Sequence, residues 1–423
     1  RRFHNTAATG QLGRARTSLL PGARAGSGQR CKMPGTRELR DTYVEKCKDF
    51  VCDPCKPLIG AINHALSHDA ELSFIKLNGN SKELFTKRLE YMQVFALAES
   101  LHVNNTVVEV DLSYNNIDDA GVQTIARLLK VNRTLKALNL AGNNIGPEGA
   151  AKLADCLADP GGGGGGLAVL NLRGNPIGEA GGMALAEMLR TNKTLLDLDL
   201  GDCELGMKSL VSVAAALKEG NGTLQAISLE NPRLTTVQEE HVGHVARMLA
   251  VNSGLRVLKL GKCAVRDFGV ETLAAYGVCA NETLEVLDLR CNKISEVGGA
   301  SVARILTDNA ALRSINLSGN ALADRGAQAV AAALPAAAGT LVELDLTCNS
   351  INDAGLCALA AGIRAMEAKP AVVKVWGNFF GPSAARAWAT LLDECWAAGA
   401  PIRTDIQCHG VDGDIHVVRA SEE

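Results

Sequence analysis

The stretch Leu284-Glu-Val-Leu-Asp-Leu-Arg-Cys-Asn292 decides the fold. Leucine stands at its first, fourth and sixth positions and asparagine at its ninth. The same phrase returns as Leu135-Lys-Ala-Leu-Asn-Leu-Ala-Gly-Asn143 and as Leu341-Val-Glu-Leu-Asp-Leu-Thr-Cys-Asn349. Working outward, copies open at Leu72, Val107, Leu135, Leu167, Leu195, Leu224, Leu255, Leu284, Leu312 and Leu341, with a degenerate eleventh in Val373, Val375 and Asn378. Regular neighbours lie 28 or 29 residues apart. A period of this length marks a leucine-rich repeat solenoid. The step to Leu167 is 32, lengthened by the Gly161–Gly166 run, and the step to Leu255 is 31, carrying Asn231-Pro232-Arg233.

Each phrase reads as a short strand. Leu287 and Leu289 are two apart and share the inner face, so Val286, Asp288 and Arg290 face outward. At the ninth position an asparagine amide meets backbone groups that have no ladder partner, and Cys203 and Cys263 stand there as small weak donors. The second half of each repeat reads as a helix: Val122, Ile125, Leu128 and Leu129 recur at helical spacing in 120–130. Gly121, Gly149, Gly298, Gly326 and Gly355 suit a tight entry to these helices. The unit resembles the ribonuclease-inhibitor class of leucine-rich repeat. The expected fold is therefore an α/β horseshoe of about eleven repeats, with a parallel concave sheet and convex helices. No repeat buries its own face, so stability comes from stacking, each buried leucine contributing roughly 1.5–3 kcal/mol.

The repeats place residues 71–400 in one solenoid. Residues 38–70, with Tyr43, Cys47, Val51, Leu58, Ile62 and Leu66 in an apolar stripe broken at Pro54 and Pro57, are expected to form a helical N-terminal cap. Residues 401–423 read as a C-terminal cap, in which 401–407 and 414–418 flank Gly410-Val-Asp-Gly413 as a hairpin, plus a tail. Residues 1–37 form an Arg/Gly-rich segment expected to be disordered. Residues 1–32 hold seven Lys/Arg and no acid, which fits a basic arm, a transit peptide, or sequence upstream of a true start at Met33. The other residues carry 36 basic and 46 acidic side chains, a net charge of −10. So acidic a solenoid is not expected to bind nucleic acid through its phosphates. No apolar run approaches the roughly 20 residues of a membrane span, so a soluble chain with no membrane contact is expected. Thirteen scattered cysteines and no secretory signal point to free thiols inside the cell.

No P-loop, G-x-S-x-G or H-E-x-x-H occurs. The Cys52-Asp-Pro-Cys55 pair has no second pair to complete a zinc site, and buried thiols are the simpler reading. His241 and His244 read as part of an ordinary helical surface. The triplets beginning at Asn132, Asn192, Asn221 and Asn281 match a glycosylation pattern, yet each precedes the leucine opening the next strand and so reads as repeat consensus. No catalytic residue, cofactor, metal or small-molecule substrate is expected, and the partners are expected to be proteins. The candidate surface is the outward row Lys76, Asp111, Asn139, Asn171, Asp199, Ser228, Lys259, Asp288, Asn316, Asp345 and Lys374, followed by Arg173, Glu230, Arg290 and Trp376. Asp199, Asp202, Asp288, Arg290, Asp345 and Lys374 are the expected partner-binding residues. On a solvated wall, charge reversal at Asp288 and Asp345 would leave the thermal transition nearly unchanged. Trp376 is either an exposed anchor or part of the C-terminal cap, with the cap favoured.

Four landmarks depart from plain repeat consensus. They are Leu198-Asp-Leu-Gly-Asp-Cys-Glu-Leu-Gly-Met207, the block from Asn231 to Leu249, Val375-Trp-Gly-Asn-Phe379, and Val411-Asp-Gly413. In order and spacing they resemble the leucine-rich repeat-containing protein 34 family, from about Glu38 to the C-terminus. The hexaglycine run and the Arg-rich start depart from that pattern. The resemblance implies a non-enzymatic protein-binding scaffold: a structural subunit of a ciliary or flagellar axonemal complex, or a nucleolar and cytoplasmic regulator in stem and germ cells. The competing class, GTPase-activating proteins of the nuclear-transport GTPase, carries a long acidic tail, whereas only Ser421-Glu-Glu423 follows the hairpin here.

Overall fold

The computed structural model describes residues 34–158, 166–236, 238–337 and 339–420. The expectations for residues 1–33, for most of the hexaglycine run and for the 421–423 tail lie outside these. Twelve parallel strands stand in strict chain order in one sheet. They are β1 Phe74–Lys76, β2 Glu109–Asp111, β3 Ala137–Asn139, β4 Val169–Asn171, β5 Asp197–Asp199, β6 Ala226–Ser228, β7 Val257–Lys259, β8 Val286–Asp288, β9 Ser314–Asn316, β10 Glu343–Asp345, β11 Val372–Lys374 and β12 Arg403–Thr404. A helix follows each of β1 to β11 and returns the chain over one side of the sheet. Neighbouring strands sit about 4.8 Å apart and packed helices 8–10 Å apart, so a repeat of one strand and one helix must curve with the strands inside. That geometry makes the sheet the concave wall.

The inner leucines behave as the alternation requires: Leu287, Leu289, Leu344 and Leu346 are fully buried. The ninth-position asparagines stitch adjacent coils. Asn143 Nδ2 donates to the carbonyls of Leu112 (3.1 Å) and Leu140 (2.8 Å), while its Oδ1 accepts the N–H groups of Asn115 (2.8 Å) and Ile117 (3.0 Å). Cys203 and Cys263 keep only the donor half of this role, towards Leu172 and Leu229 carbonyls at 3.1 and 3.3 Å. A second asparagine column repeats the device at the end of each helix. Asn132, Asn192, Asn221 and Asn281 each donate to a carbonyl of the preceding repeat and are at most 5% exposed, which closes those triplets to glycosylation.

The helix-opening glycines answer to close approach between repeats. A carboxylate at the start of one helix caps the next: Asp119 Oδ1 accepts the Gly146 N–H at 2.6 Å, and Asp324 Oδ1 accepts those of Asn352 and Gly355 at 2.7 and 3.1 Å. A Cβ on Gly149 would lie 2.4 Å from Asp119 Oδ1, and one on Gly355 2.7 Å from Asp324 Oδ1. At these two junctions one repeat thus fills unsatisfied helix-end donors of the next.

Both caps differ in extent from the expectation. The N-terminal cap begins at Pro34, four residues earlier than 38, with helices Pro34–Asp49 and Lys56–Ser67. Thr36 is the cause: its hydroxyl accepts the Leu72 N–H at 3.0 Å and ties the cap to the first repeat. Tyr43 is buried against Cys47 and Cys55, its hydroxyl accepting the Cys55 N–H at 3.1 Å, and burial pushes the Cys47 thiol up to about 12. At the other end residues 403–404 join the solenoid sheet as β12. The hairpin begins only at Ile406, pairing β13 Ile406–Val411 with β14 Asp414–Arg419. No helix among the described residues is long and apolar enough to cross a membrane.

Candidate concave binding surface

The outward row is a true ladder. Lys76, Asp111, Asn139, Asn171, Asp199, Ser228, Lys259, Asp288, Asn316, Asp345 and Lys374 pair in unbroken register across β1 to β11. Its Asn/Asp content has a backbone cause. Where each strand turns away, the N–H two residues on has no sheet partner. The side-chain Oδ1 of Asp111, Asn139, Asn171, Asp199, Asp288, Asn316 and Asp345 accepts that N–H at 2.9–3.1 Å. This is the local side-chain-to-backbone bond that short polar residues make well. At β11 the ladder residue is Lys374, which has no acceptor. Asp405 from beyond β12 supplies it, taking the Val375 N–H at 2.8 Å and the Trp376 N–H at 3.1 Å. Trp376 is partly buried against the core at this junction, which agrees with a cap role.

Three of the six expected partner-binding residues are therefore on the concave wall but enclosed within it. Asp199, Asp288 and Asp345 are only 4, 5 and 8% exposed. Their carboxylates turn back to their own strand ends and are closed in by the neighbouring strands. Burial pushes the Asp288 and Asp345 carboxyls above the usual range, against the pull of Arg290 on the first and of Thr347 and Lys374 on the second. The expectation that charge reversal there is harmless is corrected. Asp288→Lys is expected to cost about 2–3 kcal/mol in equilibrium denaturation, because an ammonium leaves the Arg290 N–H without its acceptor beside a guanidinium. Asp288→Asn keeps the acceptor and should be close to neutral. A raised native carboxyl binds its proton more readily folded than unfolded. The part of stability tied to Asp288 thus grows as pH falls from neutral through its native pKa, and Asp288→Asn should flatten that rise.

Asp202, Arg290 and Lys374 are partly open and already engaged. Lys374 Nζ lies 2.8 Å from Glu343 and 3.7 Å from Asp345. Arg290 and Asp202 belong to a network centred on Glu230. Arg173, from the turn after β4, pairs with Glu230 and Asp202, and lies 3.8 Å from Asp199. Arg290, from the turn after β8, brings a guanidinium nitrogen to 2.6 Å from Glu230 Oε1, off the N–H axis, and lies 3.6 Å from Asp288. Asn231 Nδ2 donates to Asp202 Oδ1 at 2.7 Å. Burial works against the Arg173 charge, but the Glu230 hydrogen bond and the carboxylates of Glu230, Asp199 and Asp202 outweigh it and raise its pKa further.

Glycine makes this reach possible. Arg173 must cross β5 and Arg290 must cross β7 to meet on β6. The residues crossed are Gly201 and Gly261. A Cβ on Gly201 would lie 2.5 Å from the Arg173 guanidinium, and one on Gly261 would lie 3.0 Å from Arg290 Cγ and 2.8 Å from Glu230 Oε1. One row thus reads Arg, Gly, Glu, Gly, Arg over five consecutive strands. Arg173 and Glu230 were visible as outward residues in the sequence, but not as a unit with Arg290. The bare glycines on either side of Glu230 were the signal available.

His241 is also corrected. It is 2% exposed rather than on a helix surface, with Nε2 donating to the Cys263 carbonyl at 3.1 Å, and burial lowers its pKa. Its spacing to Val245 and Leu249 is that of one helix face, and that face is the inner one.

The family described as Leucine Rich repeat matches residues 103–126, 131–154, 167–186, 191–214, 280–303, 308–331 and 340–360. The unmatched interval 215–279 contains Glu230, Gly261 and His241. The chain is similar to leucine-rich repeat-containing protein 34 of Mus musculus, 30% identical over 223 residues, 53% of this chain and 52% of the relative. Its counterpart in Homo sapiens is 32% identical over 197 residues, 47% and 42% of the two chains. Ribonuclease inhibitor of Sus scrofa is 28% identical over 139 residues, 33% and 30%. The chain spans about half the length of the first of these relatives. Among solved structures, the yeast Rad7 and Elc1 complex includes a chain aligned over 81% of this one and 88% of its own, at 16% identity and a TM-score of 0.47.

Proposed function

We propose, on the premise that this chain belongs to the leucine-rich repeat proteins, that it is a non-catalytic scaffold that holds a partner protein on its concave sheet. Leucine-rich repeat proteins generally act in protein–protein interaction, and their relatives here are typically non-enzymatic. One observation carries the reading: eleven strands present an outward ladder in unbroken register, fixed by side-chain bonds to the backbone at seven of them. A wall so constrained meets a partner with little loss of conformational entropy. The setting we propose is a structural place in a ciliary or flagellar axonemal complex, and it rests on the likeness to leucine-rich repeat-containing protein 34.

The test is fractionation of ciliated cells that express the tagged chain. The wild type is expected in the salt-resistant axoneme. A Lys259→Glu/Lys262→Glu variant, altered on the concave side, is expected to move to the soluble fraction, while Glu271→Lys on an outer helix stays. Equal retention of both variants would sink the concave scaffold. Recovery of the wild type in nucleoli would replace the axonemal setting with a nuclear one.

A further inference from the structure

We propose that Cys47 and Cys52, in the N-terminal cap, form an oxidisable pair that a peroxide converts to a disulfide. The pair lies in the cap and not on the concave wall, so the inference does not depend on the scaffold reading. The helix Pro34–Asp49 ends in a turn that brings the two residues together. The Val51 N–H donates to the Lys48 carbonyl at 3.1 Å, and the Cys52 N–H donates to the Cys47 carbonyl at 2.9 Å. This pair of bonds closes a helix C-terminus and folds the residue after the turn back onto the last helical turn, where two apolar side chains commonly meet. Here both are cysteines. The turn needs a left-handed residue, and Val51 supplies it at φ 53°, although a β-branched side chain fits that conformation poorly. The thiols meet as a result: the Cys47 sulfur is within hydrogen-bonding reach of the Cys52 thiol and of the Tyr43 hydroxyl.

The two sulfurs differ in a way that orders the reaction. Cys47 is fully buried and, with its pKa pushed up by that burial, stays a sheltered thiol. Cys52 is partly exposed and meets a solute first. Its thiolate attacks the peroxide: an S–O bond forms, the O–O bond breaks and water leaves, giving a sulfenic acid. The Cys47 sulfur then attacks the Cys52 sulfur: the S–S bond forms, the S–O bond breaks, and the hydroxyl leaves as water with the Cys47 proton. Both thiols are oxidised together, and the peroxide is reduced to water. The Tyr43 hydroxyl assists the second step, because its hydrogen bond to the Cys47 sulfur favours the thiolate, the form that attacks. The product closes a short ring across the turn and holds Val51 in place, and a thiol reductant reverses it.

The experiment treats the reduced full chain with hydrogen peroxide, alkylates the remaining thiols and maps the peptides without reduction. Cleavage after Lys48 separates the two cysteines, and cleavage at Asp53–Pro54 separates Cys52 from Cys55. The expected product joins Cys47 to Cys52, and dithiothreitol restores both thiols. Cys357, partly exposed beside Asp353 and Arg386, is the comparison and is expected to form no bond within the chain. In Cys47→Ser the Cys52 sulfenic acid has no thiol to resolve it, and its capture by dimedone is expected to rise about tenfold or more over the wild type. Equal capture in the two proteins would overturn the proposal. So would a wild-type Cys52 that stops at a single-sulfur product, or one that bonds to Cys55 instead. The wild-type map stands whether or not the variant folds.

Discussion

Asn143→Ala is expected to lower the unfolding free energy by about 3–5 kcal/mol, read as a lower denaturant midpoint at unchanged slope. The side chain is 4% exposed and makes four short bonds to backbone groups of two coils. Alanine leaves the N–H groups of Asn115 and Ile117 without an acceptor, in a place water does not reach. Each buried donor so stranded costs about 1–3 kcal/mol, more than the bond itself is worth when both partners are removed. Asn143→Cys should fall between the two. The chain already uses cysteine at 203 and 263, where the thiol donates but accepts nothing from the preceding turn. That turn has adjusted: the Ile177 N–H bonds to the Asn175 carbonyl and the next residue, Gly178, is left-handed at φ 66°. Ile117 is followed by Asp118, which would meet a steric cost in that conformation, so the cysteine solution does not transfer without loss. A cost of under about 1 kcal/mol for Asn143→Ala would show that the stitch is redundant.

Glu230→Ala is the second large effect, expected to cost about 2–4 kcal/mol. Removing one member of a buried ion network strands the charges it balanced, and the partial exposure of Arg173 and Arg290 reduces the penalty from its fully buried range. The informative comparison is with a triple replacement of Arg173, Glu230 and Arg290 by methionine. If the network is mainly structural, the triple variant recovers most of the loss, because well-packed apolar side chains replace buried ion pairs at little net cost. Strict additivity of the single changes would mean that the three side chains do not act together.

The fold was legible because the repeat states it many times. Strand alternation placed all eleven ladder residues correctly, since a period of two admits only two faces and the leucines claim one. The asparagines and the cysteines in their place were likewise readable from the bare backbone at each strand end. The burial of Asp199, Asp288 and Asp345 was not, because it depends on how tightly parallel neighbours close over a side chain that bends back to its own strand. The Glu230 network joins residues 57 and 60 positions apart, and no local pattern links them. What links them is the shared row, visible only after the copies are aligned, with glycine at 201 and 261 where other copies carry a side chain. His241 was misjudged for a simpler reason. A polar residue was assigned to the surface although Val245 and Leu249 had already fixed which way its face turned.

Solenoids of this kind change length easily, since a duplicated or deleted unit finds the same neighbours it had before. From β4 to β8 this one does not have that freedom. An extra coil inserted there would carry Arg173 or Arg290 a further strand from Glu230, beyond the span of its side chain, and a lost coil would bring either past its target. The row Arg, Gly, Glu, Gly, Arg therefore counts repeats. Inserting one consensus coil after β9 should yield a longer, stable protein, whereas the same coil after β5 should behave like the loss of Glu230.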